Sequence, residues 1–208
     1  MEARLYLKAD AVKYGWEKVS NNIPFFVLVT LTVLVVNFLP RISDSIWGPS
    51  AILGFVFFLI KTFIDIGMIR IALNFVDGLS SKYETLFSGM PLFLKYLAAV
   101  IIFIVLVGVG LVLLVVPGII VGVRLMFFGP LIVDKGLEPI DAIKKSFEMT
   151  KGKTWDLFLF TLIVFGLNIL GLLCLGVGLL LTLPLTSIAT MDIYRKINSA
   201  AGIAASNE

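Results

Sequence analysis

The chain predicts an all-α integral membrane protein: six transmembrane helices in three hairpins, with amphipathic interfacial entry helices and a parallel internal pseudo-repeat. Three observations carry that reading. The 208 residues are 59% hydrophobic and only 15% charged, and mean hydropathy is +1.05; a soluble domain has about 45–50% apolar and about 25% charged residues. Apolar runs of spanning length recur along the chain. Residues 10–37 recur without a gap at 141–168, identical at nine of 28 positions. The identities include Asp10/Asp141, Lys13/Lys144 and Glu17/Glu148, which chance apolar matching does not produce.

A spanning helix needs about 20 mostly apolar residues. The spans read as about 23–40, 50–73, 91–115, 118–133, 156–172 and 176–195. The segment PRISDSIWGPS separates the first two, and Pro117-Gly118 breaks the long apolar stretch of the third and fourth. Residues 157–191 carry no charge. As one helix they would reach roughly 50 Å, against a hydrocarbon core of about 30 Å. They must therefore fold back near Gly171–Gly178. Neither hairpin tip has a polar loop, so four full spans with two re-entrant pieces is the alternative.

Positive charge sets orientation. With six spans both termini share a side, which then holds Arg4, Lys8, Lys13, Lys18, Lys82, Lys135, Lys144, Lys145, Lys151, Lys153, Arg195 and Lys196; the other side holds only Arg41. The expectation is a multi-pass protein of the cytoplasmic (inner) membrane with both termini cytoplasmic. The N-terminus does not read as a signal peptide, because charges interrupt any apolar stretch before the first span. Residues 1–197 read as a single membrane domain: repeat units at about 3–73 and 137–196, a middle hairpin at 80–133, and a flexible tail at 198–208.

In the first entry segment Leu5, Ala9, Val12, Trp16 and Val19 share one helix face. In the second, Ile140, Ile143 and Phe147 hold the positions of Ala9, Val12 and Trp16, and Pro139 suits a first helical turn. Both segments are expected as helices in the inner interface, making Lys13, Trp16, Lys144 and Phe147 candidate lipid-interface residues. The segment SSKYETLFSGMP at 80–91 resembles a shorter third entry. Gly118-x-x-x-Gly122 fits close helix packing.

Ionisable residues within spans are functional candidates by default. Here Lys61, Asp65, Arg124 and Asp192 form the candidate intramembrane polar site. Lys61 and Asp65 are spaced to pair. Counted from the inner ends of their spans, Asp65 and Arg124 lie at similar depth and could meet. After a four-residue deletion TFIDI at 62–66 aligns with ATMDI at 189–193, making Asp65 and Asp192 equivalent.

The sequence has no His and one Cys, Cys174. An internal disulfide is impossible, and a His- or Cys-based metal site finds no ligands. No HExxH, GxSxG or phosphate-cradling loop occurs. The expectation is no enzyme activity, no cofactor and no nucleic-acid partner.

The run VPGIIVGVRLMFFGPLIVDKGLEPIDAIKKSFEMTKGKTWDLF at 116–158 resembles a prokaryotic family of uncharacterised integral membrane proteins. That family is similar to the membrane domain fused to some glycerophosphodiester phosphodiesterases. Pro117-Gly118, Arg124, Asp134, Ala142, Ser146 and Thr150-Lys151-Gly152 carry the resemblance, as do AVKYGWEKVSNN, GLSSKYETLFSG and GVGLLLTLPLTSIATMDIYRKI. It implies a six-span inner-membrane fold and no mechanism; no phosphodiesterase domain is present. The leading expectation is a non-enzymatic membrane scaffold or accessory protein that binds lipid, a second copy of itself or a membrane protein partner. The rival is a small transporter or channel with a polar path near Lys61, Asp65 and Arg124. The copies run the same way across the membrane, so the repeat is parallel rather than inverted.

Overall fold

A computed structural model describes the backbone of residues 2–174 and 176–205 and the side chains of 8–174 and 176–200. Among these residues the chain is helical, with no strand. The helices are α1 (Glu2–Ser20), α2 (Ile23–Trp47), α3 (Ala51–Val76), α4 (Phe93–Leu113), α5 (Val115–Leu125), α6 (Phe128–Lys135), α7 (Pro139–Met149), α8 (Thr154–Leu173) and α9 (Leu179–Ala205). Two short 3-10 turns, Tyr83–Phe87 and Met90–Leu92, lie between α3 and α4.

Five stretches are long and apolar enough to cross a membrane: Ile23–Trp47, Ala51–Val76, Tyr83–Leu113, Val115–Lys135 and Thr154–Leu173. The sixth expected span, 176–195, falls in α9, which carries Asp192, Arg195 and Lys196 and is not among the five. Helix α9 runs past residue 198 to Ala205, so no helix end marks the start of the expected tail. The last three residues of that tail lie outside the described residues, as does the side chain of Leu5.

Two chain reversals rest on glycine. Helix α4 stops at Leu114, whose extended backbone (φ −161°) ends the ladder three residues before Pro117. Pro117 then sits in the first turn of α5, where its missing N–H costs nothing. The helices approach so closely that a Cβ on Gly110 would lie 2.9 Å from the Gly118 Cα. Gly122 has no comparable constraint, so only the first glycine of the expected packing motif is needed. Between α8 and α9 a Cβ on Gly178 would lie 2.7 Å from the Gly171 Cα, at the expected fold-back.

Other boundaries differ from expectation. Helix α2 passes through Pro40 and ends only at Gly48, so PRISDSIW is helix rather than loop. A proline inside an apolar helix costs one backbone bond but does not end it when its surroundings re-satisfy the freed carbonyl. The segment at 80–91 is no entry helix. Its 3-10 turn drives Leu86, fully buried, against Gly67, where a Cβ would collide with the Leu86 backbone. Arg70 fastens the turn by donating to the Ser88 carbonyl and hydroxyl, both at 3.0 Å.

Packing is uneven along the helices. In α3, Thr62, Ile64, Ile66, Ile71, Ala72, Leu73 and Phe75 are buried, while Ile52, Phe55, Val56 and Ile60 are exposed. The same division holds in α4, buried at Tyr96 and Ala99 and exposed from Ile104 to Leu114 at most positions, and in α8, buried at Leu157 and Phe160 and exposed at Phe165, Leu170 and Leu173. One end of the molecule is thus a packed core around Phe127, Leu131, Ile188 and Tyr194, and the other presents apolar side chains outward. An exposed apolar surface of this extent suits lipid rather than water.

Candidate functional site

The charged side chains concentrate on the packed end. Asp77 caps α3, Asp134 lies in α6, and Arg195 of α9 binds both. Its guanidinium is bidentate on Asp77 (Nε to Oδ1 2.9 Å, Nη2 to Oδ2 2.6 Å) and reaches Asp134 Oδ2 at 2.7 Å. The Tyr194 hydroxyl donates to the same Asp134 oxygen at 2.8 Å. One planar cation on α9 therefore ties the ends of α3 and α6, a geometry that lysine cannot reproduce. Gly136, left-handed at φ 65°, closes α6 immediately after this network.

A second cluster forms where α5 breaks into α6. The break leaves the Arg124 carbonyl and the Phe127 N–H without helical partners, and α7 supplies both. The Ser146 hydroxyl donates to the Arg124 carbonyl at 2.9 Å and accepts from the Phe127 N–H at 3.2 Å. Thr150 lies 3.1 Å from the same carbonyl. The Arg124 guanidinium turns to α7, donating to the Phe147 carbonyl at 2.9 Å and lying 3.4 Å from the centre of the Phe147 ring. A cation over an aromatic face contributes about 0.5–2 kcal/mol. Arg124 Nε is buried without a hydrogen-bond partner among the described residues.

This placement corrects the expected meeting of Asp65 and Arg124. Asp65 pairs with Lys61 at 2.6 Å on its own helix, and Arg124 faces α7. Counting depth from span ends treated α5 and α6 as one straight rod; the break at Met126–Phe127 redirects Arg124. Asp192, buried, pairs with Lys196 at 2.6 Å. Lys61, Asp65, Arg124 and Asp192 therefore do not form one site.

The entry helices bury a face that the sequence reading did not single out. In α1 the buried positions are Lys8, Ala11, Gly15 and Val19, while Ala9 and Trp16 are exposed. In α7 they are Ala142, Ile143, Ser146 and Met149, while Ile140 and Phe147 are exposed. The stripe is thus split: Val19 and Ile143 face the protein beside Ala11, Gly15, Ala142 and Ser146, while Trp16, Ile140 and Phe147 point outward. A Cβ on Gly15 would lie 2.6 Å from the Leu185 carbonyl oxygen, so α1 lies almost backbone to backbone on α9. Lys13, Trp16, Lys144 and Phe147 are all exposed, although Phe147 also holds Arg124.

Cavities flank this core, and two of them bear on function. One of about 330 Å³ includes Asp65, Tyr96, Thr186, Ser187 and Thr190. The other, about 530 Å³, lies between α1, α8 and α9 and includes Lys8, Lys151, Lys153, Asp156 and Lys196. Sequence reading missed the Arg195 network, because its members are 118 and 61 residues apart. The Ser146 and Thr150 contacts had a signal: both residues carry the family resemblance.

Residues 95–201 match the model of a family described as a protein of unknown function (DUF975). An uncharacterised protein of Mycobacterium bovis is 27% identical over 91% of this chain and 68% of its own length. An uncharacterised protein of Mycobacterium tuberculosis strain CDC 1551 gives the same figures. No solved structure matches.

Proposed function

The chain belongs to the DUF975 family, and from that premise we propose a non-enzymatic scaffold or accessory protein of the cytoplasmic membrane. In this reading it crosses the bilayer six times as three hairpins, α9 being the sixth span, with both termini cytoplasmic. Basic residues on the packed end support the orientation, and exposed Trp16 and Trp155 at that end with Trp47 at the other support the crossing itself. The likeness to the phosphodiesterase-linked membrane domain belongs to the same proposal.

One observation carries the accessory role. The charges within the apolar part have partners within the chain: Lys61 pairs with Asp65, Asp192 with Lys196, and Arg124 donates to the Phe147 carbonyl. Groups spent on register and on a helix break are not offered to a substrate. Polar side chains within the spans behave likewise, with Thr62, Thr161, Asn168 and Thr190 each donating to the carbonyl one turn back. The surface left for work is the charged face and the outward apolar stripes, which suit lipid, a second copy or a membrane protein.

The cavity beside Asp65 favours the second reading, a small transporter or channel. It places a carboxylate and several hydroxyls within the apolar region, the composition of a polar path. Reconstitution into proteoliposomes separates the two. An accessory protein gives no proton, sodium or potassium flux above empty vesicles, and in-cell crosslinking captures a second copy or a membrane protein. Flux abolished by Asp65→Asn supports transport and sinks the accessory role; a strictly monomeric protein with no crosslinked partner and no co-purifying lipid also sinks that role.

A further inference from the structure

We propose that the cavity between α1, α8 and α9 binds one anionic phospholipid, the lysines holding its phosphate and the apolar floor its acyl chain. Four lysines and one carboxylate line the opening. Lys8 is only 5% exposed, a rare state for a lysine, and is held 3.1 Å from Asp156. Lys196 leans on Asp192. Lys151 and Lys153 have no ion-pair partner among the described residues, so the rim keeps a positive excess.

The backbone adds to this field. Gly152, at φ 75°, turns the chain so that Lys151 and Lys153 both border the cavity. Lys153 is the N-cap of the 20-residue helix α8; its own side chain makes no capping hydrogen bond among the described residues, and Asp156 is the acidic residue of the first turn. The first N–H groups of α8 and its dipole therefore favour an anion at this end. Below the rim the lining turns apolar at Leu157, Phe160 and Ile193. A charged rim above an apolar floor matches an amphiphile better than a free ion. Trp155, 69% exposed and stacked on Phe158, sits in the first turn of α8 and marks this level as the headgroup zone. The opening thus faces the layer where phospholipid phosphates lie.

This inference rests on the membrane reading but not on the accessory role. The test is native mass spectrometry of the detergent-solubilised protein titrated with phosphatidylglycerol, with phosphatidylcholine of the same chains, and with phosphatidylglycerol plus millimolar inorganic phosphate. One phosphatidylglycerol should be retained in preference to phosphatidylcholine and survive the phosphate. Lys151→Gln with Lys153→Gln should weaken it on the order of tenfold or more, since each lysine near an anionic surface contributes to lipid attraction. Ala200→Trp, on the cavity wall, should abolish it. Lys82→Gln with Lys145→Gln removes equal charge elsewhere and should leave binding unchanged. Melting temperatures without lipid check that each variant is folded. Equal retention of both lipids, equal loss in the Lys82/Lys145 variant, or full displacement by phosphate would overturn the proposal; the last assigns the site to a free anion. Failure here leaves the accessory role standing, whereas ion flux removes that role without touching this cavity.

Discussion

The two segments that match in sequence, 10–37 and 141–168, place the same helix face inward and use it differently. Ala11 and Ala142 are equivalent and both fully buried. One turn on, Gly15 corresponds to Ser146, and one further, Val19 to Thr150, all buried. In the first copy this face is small and apolar, and α1 lies flush on α9. In the second it carries two hydroxyls, and α7 latches the break between α5 and α6. Helices α2 and α8 begin at corresponding residues, Ile23 and Thr154. Divergence at two positions thus separates a packing surface from a backbone latch, while the surrounding register is kept.

The sharpest way to break this contrast is Gly15→Val. The side chain would meet the Leu185 backbone, which cannot step aside as a flexible side chain would. Overpacking of this kind costs about 1–3 kcal/mol or more, and thermal unfolding in detergent should show the largest loss of the series. Ser146→Ala comes next. It removes the partner of the Phe127 N–H and one donor to the Arg124 carbonyl, a loss of about 1–3 kcal/mol for buried groups left unsatisfied. Phe147→Leu removes the ring under Arg124 and should cost about 0.5–2 kcal/mol; Trp16→Leu, at the equivalent exposed position, should cost less than half as much. Lys61→Gln breaks a pair between partly exposed side chains and should shift stability by only about 0.2–0.5 kcal/mol. A large effect of Lys61→Gln would mean that this pair bears more of the fold than its geometry indicates.

The sequence was informative where a single physical constraint decided the outcome. A charge-free stretch too long for the bilayer had to reverse, and it does so between Gly171 and Gly178. Pro117 marked the neighbourhood of the other reversal, although the ladder ends at Leu114. Pro40 misled because a proline inside an apolar helix need not end it. The entry-helix stripe was read as an interface with lipid, and it did not say which residues would meet the protein. Against lipid that stripe can point outward, and close helix contacts go to small residues. Gly15, Ala11 and Ser146 were therefore the better signal, and Trp16 and Ile140 the surface. Arg124 could not be placed from sequence. Its partners are a backbone carbonyl and a ring on α7, and neither leaves a charge pattern.

Exchanging the two divergent residues is the most direct test: Gly15→Ser and Ser146→Gly, each installing the other copy's side chain, measured by equilibrium unfolding in detergent. A flush α1–α9 contact and a Ser146 latch together predict that both exchanges destabilise, each by about 1–3 kcal/mol. The first does so by crowding and the second by orphaning the Phe127 N–H. If both variants unfold like the parent, the two faces are interchangeable, and the division of labour between the copies is wrong.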